Sequence, residues 1–173
     1  MSEESPFDDI TLKDIPSVLP MLSMVEQEKL LAELEQLNKL KQRKKAQTRF
    51  IDFVVQMWPT FISGKHHGRM AEAFERVARG DCKRLIINMP PRHTKSEFAS
   101  YLLPAWFLGQ YPHKKVIQTS HTAERAVGFG RKVRNLVDQD GYRSVFPELS
   151  LQSDSKAAGR WNTSKGGDYF AIG

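Results

Sequence analysis

The sequence has a single cysteine and no long apolar run, and these two absences exclude several classes of protein. Cys82 is the one cysteine among 173 residues, so neither an internal disulfide nor a zinc cluster of cysteine ligands can form. The longest apolar stretch, residues 101–108, contains Pro104 and falls far short of the ~20 residues of a membrane-spanning helix. The N-terminus, MSEESPFDD, is acidic where a secretory signal is basic. We therefore expect a reducing, cytoplasmic setting without membrane insertion.

Acidic residues are scarce beyond the first 38 positions. Residues 1–38 hold nine acids against Lys13 and Lys29, a net charge of −7, whereas residues 39–173 carry 24 basic and 11 acidic residues, a net charge of +13. The overall composition, 40% hydrophobic and 10% aromatic, is that of a globular chain. The excess of positive charge in residues 39–173 favours polyanionic partners, with nucleic acid or nucleotide phosphate ahead of an anionic membrane.

The N-terminal half predicts an acidic tail followed by helices. Residues 1–22 combine acids with three prolines and lack periodicity, which indicates a disordered tail. Ser23 and Glu26 form a capping-box pattern ahead of leucines spaced three and four residues apart, and they predict an amphipathic helix with a basic end over residues 23–47. We interpret that basic end as a solvated face rather than a DNA contact. Two more helices are predicted, over residues 48–63 ended by Pro59 and over residues 70–79 ended by Gly80.

Beyond residue 83 the pattern alternates between strand and helix. Residues 84–89 predict a short buried strand, and the segment after Tyr142 predicts two short strands around a Gly166-Gly167 turn. The alternation indicates an α/β fold with a parallel sheet flanked by helices. The intervening predictions are a helix over 97–108 with a kink or break at Pro104, a strand over 115–120 and a helix over 122–139.

The segment RLIINMPPRHTKSEF combines a predicted strand, a loop and a helix start with Lys95 and Ser96 at the junction. A phosphate-binding loop needs this order, because loop amides and the helix N-terminus face the anion while a lysine neutralises the β- and γ-phosphates. The following hydroxyl is a ligand of Mg²⁺. Lys95 and Ser96 are therefore predicted to bind nucleotide phosphate and Mg²⁺.

The strict pattern GxxxxGK[ST] fails at both glycines, because Met89 and Thr94 occupy those positions. A β-branched residue tolerates positive φ poorly, so the loop must either differ from the usual geometry or be strained at Thr94. Pro90 and Pro91 lack N–H donors. The amides of the next five residues are left as the predicted anion cradle: Arg92, His93, Thr94, Lys95 and Ser96.

The stretch KRLIINMPPRHTKSEFASYLLPAWFLGQYP resembles the start of the ATPase domain in the large subunit of tailed-phage terminases, the DNA-packaging motors. A family form reading PPRHGKSE is similar to PPRHTKSE here, and VIQTSHTAERAVGFGRKVRNLV resembles the family's next segment. The resemblance spans about residues 49–173 and is specific around residues 84–134. It implies that residues 48–173 are the N-terminal part of a P-loop NTPase-type ATPase domain, with a helical N-terminal extension and an incomplete C-terminal end.

The resemblance also implies roles for single residues. ATP would be bound by Lys95, Ser96 and their loop, with Mg²⁺ at Ser96. Arg92 would either reach the γ-phosphate or act as a steering cation on the surface. His67, in a stretch similar to one near the family's adenine site, would touch the adenine or serve in packing. Four residues at the end of the second strand either face the ligand or cap the next helix: Gln118, Thr119, Ser120 and His121. One of five further arginines could act in trans on the ATP of a neighbouring subunit: Arg125, Arg131, Arg134, Arg143 or Arg160.

The acidic residues that hydrolysis requires are not evident. In these ATPases a further apolar strand ends in two acids, and neither Asp154 nor Asp168 follows such a strand. The family's nuclease domain has no counterpart either. We therefore expect the N-terminal fragment of a terminase, arising by truncation, by an intron or intein, or as a split subunit, that does not hydrolyse ATP alone.

Three functions remain open at the level of sequence. The first is the motor, which would package double-stranded DNA into a procapsid as a ring homo-oligomer in the host cytoplasm, transiently docked on the portal protein and working with the small terminase subunit. The second is another P-loop ATPase of the helicase or recombinase kind. The third is a basic, non-enzymatic DNA-binding module that grips backbone phosphates.

Overall fold

The fold was determined as a computed structural model, and it describes residues 22–173. The disordered tail predicted for residues 1–22 therefore lies outside the described residues except for Leu22. Contacts divide the chain into two units, Met1–Lys41 and Gln42–Gly173. Within the described part, no helix combines the length and the apolar character that crossing a membrane requires.

Helices make up most of residues 22–110. A π-helical segment, Glu97–Leu102, leads directly into α4, and Pro104 lies in the first turn of α4. The predicted break at Pro104 is not found, because a proline in the first turn of a helix is tolerated, and the irregularity of this helix is the π-helical segment that precedes Pro104. The α-helices are α1 (Met24–Thr48), α2 (Phe50–Met57), α3 (Lys65–Arg79), α4 (Leu103–Gln110), α5 (Ala123–Val137) and α6 (Asp140–Val145).

Several helix ends follow their local sequence signals. The Glu26 carboxylate accepts the Ser23 amide at 2.8 Å and the Ser23 hydroxyl accepts the Glu26 amide at 3.4 Å, which confirms the capping box of α1. Gly80 ends α3 with φ 86°, in the left-handed region that glycine adopts at little cost. Thr122 caps α5 by accepting the Arg125 amide at 3.3 Å. Helix α3 begins at Lys65, five residues before the predicted start.

The sheet is mixed, which corrects the prediction of a parallel sheet. Its order is β1-β4-β3-β2, with β1 parallel to β4 and the other pairs antiparallel. The hairpin of β3 and β4 around Gly166, where φ is 83°, confirms the predicted turn. Strand β2 was not predicted, because its sequence is polar and turn-rich. The strands are β1 (Lys115–Thr119), β2 (Leu151–Lys156), β3 (Arg160–Thr163) and β4 (Asp168–Ile172).

The buried strand predicted for residues 84–89 is wrong. The segment has no hydrogen-bonded strand partner among the described residues, and Ile86 is 86% exposed. Ile87 and Met89 nevertheless pack partly against the hydrophobic core. An apolar run becomes a strand only when a neighbouring strand pairs with its backbone, and local sequence cannot supply that neighbour.

The core lies within the unit Gln42–Gly173, between the helices and one face of the sheet. Helix α5 packs on β4, and Trp161 and Tyr169 of the hairpin stack beneath it with ring centroids 5.0 Å apart. The aromatic centre is Phe50, which makes edge-to-face contacts with three other buried rings. Phe98 is one of these rings and follows the candidate phosphate loop by two residues. The core therefore supports the loop directly.

Candidate functional site

The residues between Met89 and Glu97 curl around a cavity of about 410 Å³. Continuous helix follows from Lys95 to Gln110. The amides of Arg92 and of residues 94–96 donate no hydrogen bond to another residue of the described chain, and the first helical bond runs from the Phe98 amide to the Thr94 carbonyl at 2.9 Å. A row of free amides at the start of a helix is an arrangement that accepts an anion.

The loop takes a strained backbone path at two positions. Arg92 has φ 64° and Thr94 has φ 57°, and these are the non-glycine residues with positive φ in residues 22–173. Of the two alternatives that the missing glycine allowed, strain at Thr94 is the one found. Left-handed geometry costs an L-residue ~1–2 kcal/mol, so other contacts must hold the loop in this shape.

Lys95 spans the loop rather than extending into solvent. Its ammonium donates to the Met89 carbonyl at 3.3 Å, across the mouth of the loop, and the side chain is half-buried. Ser96 is half-buried and lines the same cavity. The predicted phosphate-binding pair therefore lies on one cavity wall, with the lysine close to the position that the first glycine takes in the strict pattern.

The cavity is electropositive. Arg92 and Lys95 line it from the loop and Arg125 from the first turn of α5, while Glu97 is the carboxylate among the lining residues. Glu97 is itself bound by Lys132, with an N–O distance of 3.2 Å. The balance of charge favours a polyanion such as a nucleotide phosphate. Arg125 was one of five arginines that sequence could not choose among, because nothing local places a residue 30 positions downstream beside the loop.

His67 packs against the loop from α3. It is 5% exposed and its ring touches Phe61 and Phe98, with centroids 4.7 and 5.1 Å apart. Its Nδ1 accepts the Gly64 amide at 2.8 Å and its Nε2 lies 2.8 Å from the Thr94 hydroxyl. Both ring nitrogens are thus engaged within the chain. An adenine contact of His67 stays a prediction, as does ATP binding.

The remaining candidates lie at the carboxyl end of β1 or elsewhere on the surface. The Gln118 amide reaches the Ser100 hydroxyl at 3.4 Å, and the Ser120 amide extends the sheet by donating to Ile172. Thr119 and His121 are exposed. The cap of α5 is Thr122 and not one of these residues, because its extended backbone directs the hydroxyl to the Arg125 amide. His93 is exposed, with Nδ1 2.9 Å from the Pro91 carbonyl.

Protein side chains alone do not form a metal centre in residues 22–173. No group of three or more His, Cys, Asp or Glu residues is placed to hold a metal ion there. The Ser96 hydroxyl could be one ligand of Mg²⁺, and the other ligands would have to be phosphate oxygens and water. Binding of Mg²⁺ at Ser96 therefore stays a prediction.

Comparison with known proteins does not assign the chain. No family model matches it, and neither a curated protein nor a solved structure is significantly similar to it.

Acidification from about pH 7.5 to about 5.5 is expected to destabilise the folded chain through His67. Burial, followed by the charges of His66 and His93, lowers the pKa of His67 from its ordinary value of 6.5. The unfolded chain then binds a proton that the folded chain excludes, so the contribution of His67 is complete above pH 6.5 and is lost as the pH falls towards the lowered pKa.

The His67→Gln variant isolates this effect, because glutamine does not titrate. Urea unfolding at both pH values should show a smaller loss of unfolding free energy in the variant than in the parent chain. Equal losses in the two proteins would mean that His67 is not held neutral by the fold.

Proposed function

We propose that this chain is the nucleotide-binding part of a terminase-type DNA-packaging ATPase. The loop of residues 90–96 would bind the phosphates of ATP, with Lys95 on the β- and γ-phosphates and Ser96 on Mg²⁺. Arg92 would face the terminal phosphate from the loop and Arg125 from the first turn of α5. In the assembled motor the partners would be double-stranded DNA, the portal protein and the small terminase subunit, within a ring of identical subunits in the host cytoplasm.

The observation that carries the proposal is the backbone of Thr94. In the pattern GxxxxGK[ST] the second glycine is the position where positive φ is expected, and Thr94 has φ 57° at that position despite its β-branched side chain. A loop that merely started a helix would need no such strain. The free amides and the position of Lys95 across the loop add independent support.

ATP binding without hydrolysis is proposed for the chain itself. Glu97 is the one carboxylate that lines the described cavity, and its ion pair with Lys132 engages it. Hydrolysis needs a carboxylate that holds Mg²⁺ through water and another group that orients the attacking water. ATP turnover at motor-like rates that disappears in Lys95→Ala would contradict this part of the proposal.

Replacing Lys95 by alanine is expected to weaken ATP binding about tenfold or more, since hydrogen bonds to charged groups contribute ~1.5–3 kcal/mol. The measurement is a calorimetric titration of the 173-residue chain with ATP and Mg²⁺. Lys165→Ala is the matched control. Lys165 is exposed in the turn between β3 and β4, and its substitution removes the same charge as Lys95→Ala does.

The alternative of a basic DNA-binding module makes the opposite prediction. Its affinity for DNA would fall steeply with salt and would not depend on Lys95 more than on Lys165. A parent chain that binds DNA in this way and shows no ATP binding would replace the motor proposal by this alternative.

A further inference from the structure

The strained threonine of the loop is connected to His67 by a directed chain of hydrogen bonds. The Gly64 amide donates to Nδ1 of His67, so the neutral ring carries its proton on Nε2. Nε2 then donates to the Thr94 hydroxyl at 2.8 Å, and that hydroxyl donates in turn to the His93 carbonyl at 2.7 Å. Every donor in the chain has one acceptor.

These hydrogen bonds stabilise Thr94, whose backbone lies in an unfavourable region of φ and ψ. A threonine at φ 57° returns to the extended or helical region unless its surroundings hold it. The two hydrogen bonds fix the side-chain torsion of Thr94 and tie its hydroxyl to the carbonyl of the preceding residue. They therefore act on the loop backbone itself rather than on a distant surface.

His67 is a rigid anchor for such a contact. Its ring is almost completely buried on α3 and is enclosed by Phe61 and Phe98. Phe98 belongs to the helical segment that follows the loop, so the ring contacts both Thr94 and that segment. The ring of His66 packs beside that of His67 with centroids 3.8 Å apart, and the ring of His93 lies 5.8 Å from that of His66.

We propose that His67 is a positioning residue that locks the phosphate loop in its anion-accepting shape through Thr94. This function rests on the proposed nucleotide site, and it explains how a threonine can replace the glycine of the strict pattern. The histidine contacts the loop and not the reacting phosphate. Its loss should change the loop backbone first and nucleotide affinity as a consequence.

Two variants of the contact and one suppressor test the proposal. His67→Ala removes the donor, and Thr94→Val removes the hydroxyl while keeping the β-branched shape. Each is expected to weaken ATP binding about tenfold, because the strain is no longer compensated. His67→Gln keeps an N–H donor and should stay within about twofold of the parent chain. Circular dichroism confirms that each variant is folded.

The decisive test compares the effect of His67→Ala in the parent chain with its effect in a chain that already carries Thr94→Gly. Glycine adopts positive φ without support, so His67→Ala should have little effect on ATP affinity in a Thr94→Gly chain. A merely structural histidine would lower affinity equally in both backgrounds. Equal losses would therefore overturn the proposal, as would an unchanged affinity in both His67→Ala and Thr94→Val. His113→Ala, an exposed histidine, controls for the loss of an imidazole.

Nuclear magnetic resonance of the unliganded 173-residue chain separates this proposal from the proposed function. The nitrogen signals of His67 should show a protonated Nε2 and a bare Nδ1 near neutral pH, and His67→Ala should move the backbone shifts of Thr94 away from left-handed values. If the parent chain fails to bind ATP, the proposed function fails while these spectra still decide the role of His67. A Thr94 signal that does not change in His67→Ala would refute the lock.

Discussion

Replacing Phe50 by alanine is expected to lower the free energy of unfolding by about 3–5 kcal/mol, the range for large aromatic truncations in a core. Phe50 is completely buried, and its ring meets Phe74, Phe98 and Trp106 edge-to-face at centroid distances of 5.5–5.6 Å. These partners belong to α3, the π-helical segment and α4. The cavity would therefore open where three helical segments converge, and none of them can close it alone.

Urea unfolding monitored by circular dichroism measures this effect. Val55→Ala is the matched control, because Val55 lies on the same helix and is 51% exposed, so its truncation should change the unfolding free energy by less than about 0.5 kcal/mol. A loss in Phe50→Ala no larger than in Val55→Ala would mean that the aromatic centre does not hold these helices together. Phe98 also follows the candidate phosphate loop, so the proposed function predicts that Phe50→Ala weakens ATP binding in the fraction that stays folded.

Replacing Gly130 by alanine is expected to destabilise the chain by about 1–3 kcal/mol, as overpacking does in close-packed cores. A Cβ at this position of α5 would lie 2.5 Å from the Ala158 carbonyl oxygen and 3.2 Å from the Tyr169 ring. The first obstacle is backbone, which cannot rotate away as a flexible side chain can. Relief would require moving α5 away from the β2–β3 connection, which would also stretch the hydrogen bond that the Trp161 indole donates to the Gly130 carbonyl.

Gly128→Ala in the same helix gives the opposite sign and serves as the control. A Cβ there meets nothing within 4 Å, and alanine exceeds glycine in helix propensity by ~0.8–1.0 kcal/mol, so the variant should be more stable than the parent chain. The two variants make the same glycine-to-alanine substitution at positions two residues apart on α5. Thermal or urea unfolding that ranks Gly130→Ala at or above Gly128→Ala would contradict the close approach of α5 to the connection.

Local sequence signals predicted most helices and the main features of the loop. The capping box of Ser23 and Glu26, the glycine that ends α3 and the turn at Gly166 depend on residues within four positions of one another, so short sequence patterns contain them. The same holds for Lys95 and Ser96, whose placement follows from a loop that runs directly into a helix. The sequence also left two alternatives for the loop, an unusual geometry or strain at Thr94, because the need for positive φ at that position follows from the local pattern.

Sheet pairing was less accessible to sequence because its partners are distant along the chain. The apolar segment 84–89 was predicted to be a buried strand and is unpaired in the described structure, whereas the polar residues of β2 form a strand on pairing with β3. The parallel partner of β1 is β4, some 50 residues later. Strand formation depends on the neighbour that tertiary structure supplies, so hydrophobicity alone gave the wrong answer at both places.

By itself, the amino-acid sequence determined the basic character of residues 39–173, most helical segments and the order of a loop, a lysine and a hydroxyl, because charge and short-range backbone preferences are properties of neighbouring residues. Tertiary structure alone decided that His67 meets Thr94, that Arg125 faces the same cavity as Lys95 and that the sheet is mixed. His67 and Thr94 are 27 positions apart, Lys95 and Arg125 are 30 apart, and the paired residues of β1 and β4 are 53 apart, so these contacts form only when the packed core brings separate elements to the same place.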